Sequence, residues 1–230
     1  MLTIVSIFAA VLFFALWLAT WLRECRSLDI RQQLRIQLLA RDQELAREKA
    51  DLADVRESIR AHAIRDELTG LPNRSSIREV LDREMARSVR DKCTLSLVLA
   101  DIDHFKKINE DHGQAAGDEV LKEVGRRLEH AIRSYDTAGR HSGGEFLLVL
   151  PSFEADTGVE RLRKIHDAIC GRPMTLPDGP LHVTCSFGVS LLLPNQFYSA
   201  EELLERAGQA MCTAKQDGRN RIGFFARSDS

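Results

Sequence analysis

The sequence predicts an α+β domain, a central sheet flanked by helices, preceded by a transmembrane helix and a long helical linker. Three observations predict it. Positions 2–22 form an uncharged apolar run, positions 25–64 lack both proline and glycine, and from about Arg65 helical stretches alternate with short apolar runs. Helices interleaved with buried strands mark a sheet core. The boundaries drawn are 2–22 for the transmembrane helix, 23–64 for the linker, 65–226 for the folded domain and 227–230 for a tail.

The first segment is almost all Leu, Ile, Val, Phe, Ala and Trp, about the length that crosses roughly 30 Å of hydrocarbon as a helix. A cleaved secretory signal would carry a basic start, a shorter apolar run and a small-residue cleavage site; none is evident. Trp17 and Trp21 stand where an aromatic belt lies, and Arg23, Arg26 and Arg31 follow. By the positive-inside rule, this places the rest of the chain in the cytoplasm, as a single-pass protein of the inner membrane. The linker is dominated by strong helix formers. Leu38, Leu45, Leu52 and Ile59 recur every seven residues, but the partner position holds Arg41, Glu48, Val55 and His62. Both a coiled-coil dimer and a solvated helical stalk fit that pattern.

In the domain, helices are predicted near 75–90, 118–134 and 200–215, the last stopped by Asp217-Gly218. Strands are predicted at 94–100, 146–150 and 183–193. A chain of 230 residues holds one ordinary core and an appendage. The net charge of -2, with acids and bases intermixed, gives no basic footprint for nucleic acid. Cys25, Cys93, Cys170, Cys185 and Cys212 are scattered without zinc-site or disulfide-scaffold spacing, and read as reduced, mostly buried thiols.

Three local features carry chemistry. The apolar strand before Asp101-Ile102-Asp103 ends in two acids that strand alternation turns to one side, a pair suited to Mg²⁺ held together with substrate phosphates or merely to starting a turn. Arg140-His141-Ser142-Gly143-Gly144-Glu145-Phe146 runs into an apolar strand, and Gly-Gly there signals a β-hairpin. Lys215 and Gly218-Arg219-Asn220-Arg221 follow the last helix; their cations suit phosphate or complement the helix dipole.

Together and in this order, these segments resemble the GGDEF family, over about 66–224. Asp66-Glu67-Leu68-Thr69-Gly70-Leu71-Pro72-Asn73-Arg74 looks like its opening D-x-L-T-G-L-x-N-R. Asp101-Ile102-Asp103-His104-Phe105-Lys106-Lys107-Ile108-Asn109 with Gly117-Asp118 resembles its metal, phosphate and guanine stretch, and Lys215 with Gly218-Arg219-Asn220-Arg221 its closing K-x-x-G-R-N-R. The resemblance implies a palm-type, nucleotidyl-cyclase-like fold with an antiparallel-centred sheet. It also implies condensation of two GTP into cyclic di-GMP between two facing domains, hence a homodimer or a partner signalling protein. Carried over by position, Asp101 and the Ile102 carbonyl would hold Mg²⁺. Phe105, Lys106, Lys215 and Arg219 would surround the phosphates, and Asn109 and Asp118 would read guanine. Arg133-Ser134-Tyr135-Asp136 stands where the family's inhibitory R-x-x-D site binds cyclic di-GMP. An arginine grips phosphate or a guanine edge bidentately while the carboxylate takes guanine donors.

The signature loop departs from R-Y-G-G-D/E-E-F without deletion. Ser142 replaces the first Gly, and Gly144 replaces the acid that is the family's second metal carboxylate. Glycine neither ligates nor accepts a proton, and losing even an outer partner of a metal costs about 10–100-fold, so turnover is expected to be absent or weak. The alternative is an active or weak cyclase, with Glu145 and Lys106 as its catalytic residues. In it, Gly143-Gly144 forms the turn and a local shift brings Glu145 to the metal. Gln114 in place of His, Gly208 in place of an Asp ahead of the last helix, and Cys212 in place of Tyr depart in the same direction.

Overall fold

The computed structural model describes residues 64–176 and 179–225, with Trp21 and positions 41–43, 47 and 49. The expected transmembrane helix (Trp21 apart), most of the linker and the tail lie outside the described residues. Among the described residues, no helix is long and apolar enough to cross a membrane. The chain divides into two units, 1–62 and 63–230, and the sheet lies in the second.

The second unit runs α1 (Arg74–Asp91), β1 (Leu95–Ile102), α2 (Phe105–His112), α3 (Gln114–Ala131), β2 (Thr137–Ser142), β3 (Glu145–Leu150), α4 (Ala155–Cys170), β4 (Met174–Leu176), β5 (Gly179–Leu181), β6 (Cys185–Leu192), α5 (Ala200–Gln216) and β7 (Ile222–Phe224). The main sheet has strand order β2-β3-β1-β6-β7, with β4 and β5 forming a separate ribbon. Its pairs are antiparallel except β6 with β7.

Strand alternation sends Val98, Ala100 and Ile102 to one face and Leu95, Leu97 and Leu99 to the other. The first face is covered by α3 and α4 through Val120, Leu121, Val124, Leu128, Leu162 and Ile165. The second is covered by α1 and α5 through Ile77, Leu81, Leu203, Ala207 and Met211. Burial on both faces is why β1, β3 and β6 read as continuous apolar runs in an antiparallel sheet, where one polar face is more usual.

Local chemistry sets the helix ends. Asn73 caps α1 by accepting from the Ser76 amide, and Ser199 with Glu202 forms a capping box on α5, each cap contributing about 0.5–2 kcal/mol. A Cβ on Gly188 of β6 would stand 2.0 Å from the Ala207 carbonyl oxygen, so α5 lies directly on the sheet backbone and its last turn overhangs the C-terminal end of β1.

Two expectations need correction. The second helix begins at Gln114 and ends at Ala131 rather than spanning 118–134, because Gly117 belongs to its first turn and Ile132 turns extended. Gly208, expected ahead of the last helix, lies in the middle of α5.

Candidate functional site

At the end of β1, Asp101 stands directly across from Glu145 of β3, and opposed residues of an antiparallel pair project from the same face. Lys215, from the overhanging turn of α5, places Nζ 2.5 Å from Asp101 Oδ2. Burial pushes the Asp101 carboxyl up, Lys215 opposes this, and the Glu145 and Asp103 charges push it up further. The Gly143-Gly144 turn closes the β2–β3 hairpin with Ser142 paired to Glu145. Gly143 has φ 42°, a backbone conformation that favours glycine. The Ser142 hydroxyl donates to the Glu145 carboxylate. Arg140 ties the hairpin down: Nη2 donates to the Gly143 carbonyl at 3.1 Å and Nη1 to Asp66 at 3.2 Å.

The two acids expected side by side are separated. Strand β1 stops at Ile102, so alternation does not carry on to Asp103, which turns inward and is 4% exposed. Its carboxylate accepts from the Thr184 hydroxyl at 2.8 Å, the Ser186 hydroxyl at 2.7 Å and the Asn220 amide at 3.1 Å. That arrangement pins β6 and the turn before β7, and leaves Asp101 alone with Glu145.

On the α2–α3 side, Asn109 Oδ1 is buried without a hydrogen-bond partner. It lies where a Cβ on Gly117 would come within 1.7 Å. An orphaned acceptor is costly unless a donor arrives, and the guanine edge supplies donors. Asp118 is half-buried and accepts from Gln114 Nε2 at 3.1 Å. Phe105 packs beneath the hairpin, 3.1 Å from where a Gly144 side chain would begin. Lys106 points outward, its side chain 92% exposed beside Glu110, and Arg219 is exposed in a left-handed conformation, φ 62°. The fold thus brings Lys215 onto Asp101, sets Glu145 across the strand pair from it and Phe105 against the hairpin, while Lys106 and Arg219 face solvent.

The donors at the sheet end fit one Mg²⁺ held with substrate phosphates, which asks one or two carboxylates of the protein. Asp101 and Glu145 supply them. Ile102, 1% exposed, has its side chain in the core and only a backbone carbonyl to offer, and Gly144 adds no donor. Among the described residues, no cluster of three or more His, Cys, Asp or Glu forms a fuller metal cage.

A second constellation lies where α3 passes into β2. Asp136 Oδ2 accepts from the Arg133 amide at 2.9 Å, and Arg133 Nη1 donates to the Tyr135 hydroxyl at 2.6 Å. Arg161 of α4 forms an ion pair with Asp136, whose side chain has no exposure. The guanidiniums of Arg133 and Arg161 lie 5.8 and 5.7 Å from the Tyr135 ring centre. Burial, with the Arg133 charge, pulls the Arg161 pKa down. Beyond that close ion pair, which joins Nη2 to Asp136 Oδ1, Arg161 Nε is buried without a hydrogen-bond partner. Sequence reasoning found Arg133 and Asp136 but not Arg161 or Tyr135. The signal for Arg161 is its place in a helical stripe with Leu162, Ile165, His166, Ile169 and Cys170, all buried. A guanidinium there is off-pattern unless a partner awaits it.

A family model described as diguanylate cyclase, GGDEF domain, matches residues 63–221. The diguanylate cyclase DgcP of Pseudomonas aeruginosa is 41% identical over 166 residues, covering 72% of this chain and 24% of that protein. The response regulator PleD of Caulobacter vibrioides is 36% identical over 162 residues, covering 70% of this chain and 36% of that protein. The chain therefore spans about a quarter to a third of these relatives. Among solved structures, the GGDEF domain of DgcB from Caulobacter crescentus in complex with c-di-GMP superimposes with TM-score 0.66 at 30% identity, covering 70% of this chain and 95% of that one. The diguanylate cyclase SiaD of Pseudomonas aeruginosa, in complex with its activator SiaC, gives TM-score 0.66 at 31% identity, covering 90% and 80%.

Proposed function

We propose that this chain, which belongs to the GGDEF domain family, is a catalytically degenerate member that acts as a receptor for cyclic di-GMP. The observation that carries this is the buried Arg161–Asp136 ion pair, with Arg161 Nε left without a hydrogen-bond partner, beside Arg133 and Tyr135. Two guanidiniums flanking an aromatic ring suit an anionic dinucleotide: the cations take phosphate oxygens and the ring stacks a base. Arg161 occupies Asp136, so binding would exchange that ion pair for contacts to phosphate and guanine.

At the sheet end, GTP binding is retained through Asn109, Asp118 and Lys215. Asp101 and Glu145 would hold Mg²⁺ there, and the ion would supply positive charge to offset that of the phosphates. Gly144 leaves no side chain to accept the proton of an attacking hydroxyl. In this reading the uncharged run 2–22 anchors the protein in the cytoplasmic membrane with the domain inside, and output passes through a homodimer or a partner signalling protein.

Calorimetric titration of the chain with cyclic di-GMP, beside an overnight GTP and Mg²⁺ turnover assay, tests the reading. Binding that Arg133→Ala removes, without turnover, is the expected result; binding that survives both Arg133→Ala and Arg161→Ala refutes it. A second reading, a weak cyclase, is favoured by one observation, the placement of Glu145 directly across from Asp101. Cyclic di-GMP production lost in Glu145→Gln would establish that reading instead.

A further inference from the structure

Asp103 is buried, and its hydrogen bonds run to two different parts of the chain. Thr184 and Ser186 stand at the start of β6, while Asn220 belongs to the turn between α5 and β7. Oδ1 accepts from the Ser186 hydroxyl, and Oδ2 accepts from both the Thr184 hydroxyl and the Asn220 amide. The Asp103 amide in turn donates to the Thr184 carbonyl at 2.9 Å. Hydroxyls can rotate toward other acceptors. A backbone amide cannot, so Asn220 is the donor that most needs this carboxylate.

The turn that Asp103 reaches is strained. Arg219 and Asn220 are successive non-glycine residues with φ 62° and 47°, a conformation that L side chains rarely adopt and that persists only where the surroundings hold it. Three contacts hold it here. The Arg219 amide donates to the Ala214 carbonyl at 3.0 Å, Arg221 Nε to the Arg219 carbonyl at 3.0 Å, and the Asn220 amide to Asp103 at 3.1 Å. The first two lie within α5 and the turn itself; the third ties the strained pair to the end of β1. The Arg219 backbone is thereby fixed on both sides while the residue stays exposed. A cation carried on a fixed backbone loses less freedom on meeting phosphate than one carried on a mobile turn.

We propose that Asp103 is a positioning residue for the triphosphate of GTP: it touches neither nucleotide nor metal, and its carboxylate holds the strained turn that presents Arg219 to the outer phosphates. The proposal rests on the reading that the sheet end retains GTP. It gives the second acid of Asp101-Ile102-Asp103 a task different from the first, because three donors already occupy its oxygens. It also separates the two ends of the nucleotide. Guanine is assigned to Asn109 and Asp118, which lie on α2 and α3, so losing Asp103 should weaken the phosphate contacts and spare the base.

The experiment measures, on the full chain and its variants, hydrogen exchange at the Asn220 amide without nucleotide, and calorimetric affinities for GTP and GMP with Mg²⁺. GMP keeps guanine and lacks the two outer phosphates. In Asp103→Ala the Asn220 amide should exchange faster and GTP should bind about 10-fold more weakly, the loss expected when a charged hydrogen bond goes, while GMP affinity holds. Asp103→Asn can turn its amide oxygen to Asn220 and its NH₂ to the Ser186 hydroxyl. It should therefore recover most of the GTP affinity, a recovery not expected of a carboxylate that binds the metal. Equal losses for GTP and GMP, an Asn220 amide that exchanges no faster, or an asparagine variant as weak as the alanine would each overturn the proposal. No GTP binding by the unsubstituted chain would remove the reading of the sheet end and the proposal with it; GTP binding that Asp103→Ala leaves unchanged would remove the proposal alone. Should the alanine variant not fold, Asp103→Leu with Thr184→Val and Ser186→Ala removes the hydroxyl donors along with their acceptor, and the same GTP-selective loss is expected of it.

Discussion

Replacing Asp136 with alanine removes the carboxylate paired with the Arg161 guanidinium, a residue that is itself 7% exposed. Stripping one partner from a buried pair leaves an uncompensated charge and costs about 3–5 kcal/mol. The Arg133 amide also loses its 2.9 Å acceptor, and a lost hydrogen bond adds about 0.5–1.5 kcal/mol. Against a typical domain stability of about 5–15 kcal/mol this is a large fraction. For a domain of this size it corresponds to a melting point lower by roughly 7–26 °C. Arg133→Ala, by contrast, removes a solvated cation, and its cost should stay within about 1 kcal/mol. The assay is urea unfolding followed by circular dichroism for these two variants, the singles Asp136→Leu and Arg161→Met, and their double variant. The double variant removes both charges together and should recover most of the loss, because a buried ion pair exchanges for apolar side chains at little net cost. The double-mutant coupling is expected to be well over about 1 kcal/mol. A loss below about 1 kcal/mol for Asp136→Ala, or a double variant no more stable than the worse single, would show that Arg161 does not depend on Asp136. The exchange mechanism proposed for ligand entry would then fail.

Gly144→Asp restores a carboxylate at the hairpin, and its Cβ meets Phe105 at 3.1 Å, a contact a small ring movement relieves. Cyclic di-GMP production from GTP should rise at least about 10-fold, and no gain would place the defect elsewhere in the site. Gly188→Ala drives a methyl to 2.0 Å from the Ala207 carbonyl. It should destabilise by about 1–3 kcal/mol or more in thermal melts, and an unchanged melting point would contradict the direct packing of α5 on β6. Hydrogen bonds from Arg126, and then Arg127, bring Glu123 from its ordinary 4.5 down to about 2. A depressed carboxyl stabilises the fold above its unfolded value and loses that contribution as pH falls through the folded one. Stability should therefore decline between pH 4.5 and about 2, more steeply than in Glu123→Gln, as measured by urea midpoints across that range.

The elements legible in the sequence are those whose physics is local. Strands β1, β3 and β6 are apolar on both faces and announce themselves as runs, while Asp217-Gly218 marks the end of α5. Helix α4 escapes because Arg161 and His166 sit within its buried stripe, so its inward face reads as half polar until the partners on other elements are known. Helix α2 escapes because none of its residues is buried. The edge strand β2, Thr-Ala-Gly-Arg-His-Ser, has no apolar run and is legible only through the Gly-Gly turn after it. In the candidate site, motif order alone located Asp101, Asn109 and Lys215. The inward turn of Asp103 depends on Thr184, Ser186 and Asn220, all more than 80 positions away.

The same distinction bears on how the preceding chain could act on the hairpin. Asp66, close to where the domain begins, accepts from the Thr69 amide at 2.9 Å and hydroxyl at 2.8 Å, and receives Arg140 Nη1 at 3.2 Å. The Asp66 carboxyl is pushed up by burial, yet those Thr69 and Arg140 contacts carry it below the usual range overall. It is therefore ionised at neutral pH and keeps hold of Arg140. Arg140 in turn grips the Gly143 carbonyl, one residue from the position where the missing acid would stand. A displacement of the segment around Asp66 must then either break a half-buried ion pair or carry the β2–β3 turn with it. Because Glu145 is opposed to Asp101 only while that turn keeps its register, the hairpin is where an upstream motion would first reach the two carboxylates.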